Sequence, residues 1–325
     1  MSLSKKSWTG IAREATPGVA IATPTVFVPT KTTFKGGKKR EYLNEERGDR
    51  NANYGVVDSI RQTALDFKGP WYNDVHPYLM IAAMGNNTSS QPAVSTDPTV
   101  WKHVMNLADA PASMTVFRSL DAVTYYVPYF VVEKFGLKFA TEGKLLECDA
   151  SGVGLFAQIM ASPPTPSYSV LNPFAGYMPT ITLGGASSSD VIDFDFEFDQ
   201  KVTLWYPANG TQDFITVYFG ERKATVSFTA RFDVAGTGSL GIATYNKWRT
   251  NTMDSLVVDV LGPIISHAYA QELNLNFPNI SYDSIEHDTS KDNVLIKAKA
   301  TLIAVPGASL MTAYAQNTIS NSYTV

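Results

Sequence analysis

One hexapeptide of this chain has the spacing of a cofactor turn. Gly236-Thr237-Gly238-Ser239-Leu240-Gly241 carries the glycines that let a backbone approach a pyrophosphate, and Asp259 follows about 20 residues on, where a ribose hydroxyl would be met. The strand before it argues against that chemistry. A dinucleotide-binding first strand is buried on both faces, whereas Lys223 to Val234 sets Thr225, Ser227, Thr229 and Arg231 on one face. The glycines are therefore read as turn residues leading into a helix. His287 stands among Asp283, Glu286 and Asp288, side chains able to ligate a hard or borderline metal, but their spacing fits no standard site and a solvated charged turn explains them. Arg47-Gly48-Asp49 is read as a charged loop. No Gly-x-Ser-x-Gly occurs, Cys148 is the single cysteine, and His76, His103 and His267 are scattered. Neither catalytic residues, nor a metal, nor a cofactor are expected. The most regular charged pattern is Asp193, Asp195, Glu197 and Asp199 alternating with Ile192, Phe194, Phe196 and Phe198. Four like charges on one strand face repel, so facing water costs far less than burial without matching cations.

The elements around these residues are mostly strands. Phe, Tyr and Trp number 17, 16 and 5 in 325 residues, and the net charge is -4, too small to supply the positive field of a nucleic-acid binder. Period-two alternation marks strands over Asp190 to Lys201, Lys223 to Val234 and, more loosely, Asn293 to Val305. Three short helices are predicted: Val75 to Met84 stopped by Gly85, Thr99 to Asn106 behind Asp97-Pro98, and Ser239 to Asn251. Residues 161–173 hold Pro163, Pro164, Pro166 and Pro173 and cannot sustain a helix or central strand. A linker there would divide an N-terminal domain, 1–160, from a C-terminal one, 174–325. Both halves share an order of extended segments, a Trp-bearing helix (Trp101, Trp248) and a closing strand pair, a weak internal repeat. The closing pairs are Phe135 to Ala140 with Lys144 to Val153, and Gln271 to Phe277 with Val294 to Val305. No apolar run approaches a membrane span or a secretory signal, so synthesis in the cytoplasm and no membrane partner are expected.

Gly10-Ile11-Ala12-Arg13-Glu14-Ala15-Thr16-Pro17-Gly18 with Ala22-Thr23-Pro24 resembles the opening of the siphophage major tail tube proteins. So do the run Glu45 to Arg50, the stretch Leu65-Asp66-Phe67-Lys68-Gly69-Pro70 to Tyr78-Leu79-Met80 ending at Gly85, and the close from Leu273 to Leu302. The resemblance implies a mainly β protein without enzymatic activity: two tandem tail-tube-like β-sandwich or barrel domains, each with a short flanking α-helix. It implies rings stacked into a hollow virion tail, assembled in the host cytoplasm, through which DNA passes without specific binding. Two tandem domains would let three chains make a ring of pseudo-sixfold symmetry. Tape measure, tail terminator and distal tail proteins would be the other partners. On that reading Asp193, Asp195, Glu197 and Asp199 line the lumen, where carboxylates keep phosphate from sticking, or else face the outside of the tube, where they aid solubility. Residues 30–53 form a projecting loop docking on the neighbouring ring, or alternatively a solvated hairpin tip, with Gly36 and Gly37 as its turn and Lys35, Lys38, Lys39, Arg40, Glu41, Glu45 and Glu46 as its charges. A tail terminator or adhesin, or a dinucleotide-binding enzyme, are the alternative classes.

Overall fold

A computed structural model describes residues 6–44, 53–188, 190–208, 210–232, 240–289, 294–320 and 323. The first half contains β1 (Trp8–Arg13), β2 (Val26–Phe27), β3 (Lys31–Leu43), β4 (Gly55–Pro70), α1 (Pro77–Met84), β5 (Gly85–Ser90), β6 (Trp101–Leu107), β7 (Met114–Ser119), β8 (Thr124–Ala140), β9 (Glu147–Gly154) and β10 (Gln158–Ile159). The second contains β11 (Pro179–Leu183), β12 (Ala186–Ser188), β13 (Val191–Trp205), β14 (Thr216–Arg231), α2 (Leu240–Arg249), β15 (Asp254–Ser266), β16 (Tyr269–Asp288), β17 (Leu295–Leu302) and β18 (Thr312–Asn317). The protein is mainly β, and every strand pairing among the described residues is antiparallel.

The alternating segments fold as their period dictates. Phe194, Phe196 and Phe198 of β13 are buried while Asp195 and Glu197 are exposed. A register shift between Val191 and Asp193 turns Val191, rather than Ile192, into the core. In β14 Ala224, Val226, Phe228 and Ala230 are buried. The uninterrupted apolar run of α1 buries all eight of its residues, with Pro77 in the first turn and Gly85 (φ 101°) ending it. α2 begins at Leu240 and carries Lys247 and Arg249 in its last turn.

The helix expected at Thr99 to Asn106 is instead strand β6. Its His103 and Met105 are buried, and it is held between β5 and β18. The cap signal Asp97-Pro98 serves a turn, and the strand partner comes from more than 200 residues away, which local propensity cannot sense. The second closing pair is also redrawn. Residues 272–276 of β16 lie between β15 and β18, and only 280–288 pair with β17. Pro278, lacking an N–H, sits where the partners change.

The two halves repeat one another strand for strand, with β5 and β6 as an additional hairpin. Four strands of the first half lie in the order β3-β4-β9-β8, and four of the second in the order β13-β14-β17-β16. α1 and α2 follow corresponding strands, β4 and β14. Three ladder irregularities recur in place. Lys38/Arg40 of β3 matches Gln200/Val202 of β13, Val132/Lys134 of β8 matches Tyr282/Ser284 of β16, and Met114/Val116 of β7 matches Asp254/Leu256 of β15. Such bulges are placed features rather than noise. The repeat therefore runs to residue level, though the helix that carries it in the first half is α1 and not the segment around Trp101.

The halves are joined by sheet as well as by chain. β8 pairs with β13 from Asp193 opposite Ala140 to Asp199 opposite Lys134, making one run of eight strands, β3-β4-β9-β8-β13-β14-β17-β16. One apolar core, from Leu65 and Phe135 to Phe196, Phe228 and Phe277, backs that run. Residues 161–173 hold neither helix nor strand, and Phe174 just beyond is buried.

Candidate assembly surfaces

Side chains alternate along each strand, so the face of the eight-stranded run opposite the core is polar. Register places on it Lys31, Thr33 and Lys35 of β3, Asp66 and Lys68 of β4, Glu147 and Asp149 of β9, and Lys134 and Lys138 of β8. The second half adds Asp193, Asp195, Glu197 and Asp199 of β13, Ser227 and Thr229 of β14, Lys297 and Lys299 of β17, and Glu286 and Asp288 of β16. The four carboxylates singled out from sequence thus share one face. Their flanking strand supplies the cations: Lys134 Nζ lies 3.0 Å from Asp199, and Lys138, opposite Asp195 in register, is 3.5 Å from Glu147. Lys297 is 3.1 Å from Asp288. The face is a lattice of both signs, and a hollow of about 430 Å³ lies along the β8–β13 seam beside Lys138, Glu147, Asp193 and Asp195. Desolvation, then the neighbouring Glu197, raises the Asp195 carboxyl, while the hydrogen bond to Asp199 raises Lys134. The lysines went unseen as partners because they lie over 50 residues away in sequence.

The segment expected as a loop, Thr30 to Asn53, is largely strand. Lys35, Gly36, Gly37, Lys38, Lys39, Arg40 and Glu41 all lie within β3, paired to β4; Glu45 and Glu46, like Arg47-Gly48-Asp49, fall outside the described residues. Both faces of the distal hairpin are exposed, so no alternation reveals it. Its charges are largely met at home. Lys38 and Arg40 contact Asp58 at 3.2 and 2.9 Å, holding that carboxyl below its usual range, and Lys39 lies 3.0 Å from Glu41. Beside those charges the arm also presents apolar side chains outward: Tyr42, Leu43, Val56 and Val57 are exposed. The corresponding β13–β14 arm exposes Trp205, Ile215 and Tyr218. Arg61 donates two hydrogen bonds to Asp213, at 2.7 and 2.6 Å, tying the arms together.

The opening motif owes its form to Glu14, 4% exposed. One carboxylate oxygen accepts from Ser113 Oγ at 2.7 Å and Gly18 N at 2.9 Å, the other from Thr115 Oγ1 at 2.8 Å and Tyr129 N at 2.9 Å. Gly18 (φ 83°) and Tyr129 (φ 52°) are both left-handed, and these bonds hold them there.

The other chemical candidates resolve into packing. The His287 ring packs against Phe232 and Tyr245, and Asp283 accepts a hydrogen bond from Thr301 at 2.7 Å. Gly236 and Gly238 lie outside the described residues. The strand before them, β14, sits antiparallel between β13 and β17, and Asp259 is on β15, antiparallel to β11 and β16; a parallel strand-helix-strand unit is not what surrounds this turn.

A family model described as phage tail tube protein matches residues 6–311. No curated protein matches the chain.

Proposed function

This chain belongs to the phage tail tube protein family, a structural component of the virion tail, and on that premise we propose that it polymerises as stacked rings into the hollow conduit for DNA ejection. The observation that carries the reading is the eight-stranded run: two four-strand units of one order, apolar on the core side and charged on the other. A wall made of such runs needs an apolar outer layer to hold its shape and a wetted inner surface. The two units are tandem tube domains, so three chains supply the six units of a ring. Asp193, Asp195, Glu197 and Asp199 face the lumen interleaved with Lys134 and Lys138. This mixed lattice carries no sustained positive stripe, so phosphates find no continuous track on which to displace counterions. The two hairpin arms, tipped by Tyr42, Val56 and Val57 and by Trp205 and Tyr218, reach the adjacent ring, an association of unlike surfaces that propagates without closing.

Negative-stain microscopy of the purified protein, with native mass spectrometry of disassembled rings, tests this. Hollow tubes built of three-chain rings are expected. Single closed rings that never stack would instead indicate a terminating component, and a persistent monomer at high concentration would overturn the reading.

A further inference from the structure

Resting on that reading, we propose that residues 168–170, between the two halves, pack in one copy on the open face of α2 in a second copy, as Tyr323 packs on α1 inside the chain. The repeat sets the two helices in register. Arg61 and Arg222 stand at the same place beside the matching bulges of β3 and β13, and the same number of residues separates Arg61 from Leu79 as separates Arg222 from Leu240. Ile81 and Ala82 then correspond to Ile242 and Ala243. In α1 these two share a face with Tyr78, whose ring meets that of Tyr323 edge-on at 4.5 Å, and all three are buried. In α2 Ile242 is half-buried and Ala243 is exposed. Trp248, in the turn by which α2 outruns α1, is exposed as well. The face that Tyr323 covers on one helix is thus open on the other.

The cover has its own counterpart. Tyr323 follows β18, whose Thr312 lies opposite Asn276 of β16. In the first half Gln158 of β10 lies opposite Tyr126 of β8, and Tyr126 and Asn276 are equally far from the bulge their strands share. Counted on from Thr312 and Gln158, Tyr323 falls level with Ser169, between Tyr168 and Val170. Both neighbours are exposed, Val170 by 96%. Single exposed apolar side chains are ordinary, but these occupy the place of a contact already made once in the chain. The two open patches do not meet within one copy. Tyr168 lies over Phe27, just before β3 at one end of the eight-stranded run, whereas α2 packs on β16 and β17 at the other. The second half covers the helix of the first; the helix of the second is left for the first half of the next copy. A contact between unlike patches leaves each pair of copies with one of each still open, so it continues around a ring instead of ending at a dimer.

Two measurements on the full chain decide it. Chains with Val170 replaced by the photocrosslinker p-benzoylphenylalanine are mixed with an excess of isotope-labelled wild-type chains, assembled and irradiated, and the joined peptides are mapped by mass spectrometry. Adducts from position 170 to α2 of labelled chains are expected. Separately, Val170→Asp and Ala243→Asp each lower the yield of assembled protein at least tenfold while circular dichroism stays native, and Val170→Lys combined with Ala243→Asp restores it. Full yield of tubes from both single variants, with adducts confined to the chain's own residues, overturns the contact and leaves the tube reading standing. Adducts to α2 of labelled chains in single rings that never stack support the contact and overturn the tube. Adducts from position 170 to residues 161–173 of a labelled chain show that segment mating with itself and overturn the proposal.

Discussion

Replacing Glu14 by Gln keeps the volume of the side chain and removes one acceptor oxygen from a buried site of four donors. Whichever way the amide turns, its NH2 meets one hydroxyl and one backbone N–H. Ser113 or Thr115 can rotate to accept the new donor, but Gly18 N or Tyr129 N cannot. The bonds that remain lose their charge assistance, falling from about 1.5–3 to about 0.5–1.5 kcal/mol each, and the orphaned N–H adds a penalty of about 1–3 kcal/mol. Allowing for relaxation, Glu14→Gln lowers stability by about 2–4 kcal/mol. Urea unfolding followed by tryptophan fluorescence, to which buried Trp8 on the adjoining strand contributes, reads it as a lower midpoint at unchanged slope. A loss below about 0.5 kcal/mol would refute the view that this carboxylate organises the opening motif.

Burial holds His76 and His103 at about 4, below the ordinary 6.5, so the unfolded chain binds more protons between those values. Stability therefore falls as pH drops from about 6.5 to about 4, measurable as a declining urea midpoint, and His103→Asn flattens that slope. Gly152→Ala sets a Cβ against the Val131 carbonyl oxygen and the Phe130 ring, and is expected to abolish soluble folded protein, read by expression and circular dichroism. Changing the β13 carboxylates to lysine would set them against Lys134 and Lys138 and injure the seam itself, so the lumen assignment is tested by neutral change. Asp195→Asn with Glu197→Gln leaves tube yield unaltered and increases DNA retention in a tube-binding assay; unchanged retention counts against lumen exposure. Tyr42→Ser with Val57→Ser leaves folded subunits whose rings fail to stack, seen by microscopy, and full-length tubes would remove the arms from that role.

The alternation in β13 and β14, the buried run of α1 and the lack of helix or strand over residues 161–173 were all readable because each is a local pattern that its own residues enforce. Trp101 to Leu107 was not, since β6 is a strand by virtue of β18, and a cap-like Asp97-Pro98 preceded it. The length of the β3 strand escaped for a different reason: exposed on both faces beyond Lys35, it shows no period, and its charges read as loop or hairpin tip. The candidate lumen strand was visible as four carboxylates, but its balance by Lys134 and Lys138 depends on a pairing between the halves. The duplication was faint in sequence because equivalent positions differ in kind, Lys35 against Glu197 or Glu286 against Gly136. It shows in the bulges, which coincide at equivalent backbone positions even where the side chains differ.

The seam between β8 and β13 would also change the kinetics of making the proposed ring. It closes as the chain folds, between segments held at the high effective concentration of a covalent tie, and needs no encounter. Of the seams in a ring of such chains, every second one is therefore independent of protein concentration. In the proposed ring, closure would be an event of three bodies rather than six, with a correspondingly gentler dependence of nucleation on concentration. Parity is fixed as well: chains carrying two units each can close only on an even number, so a miscounted ring errs by two units at once, a larger and more easily rejected misfit than an error of one.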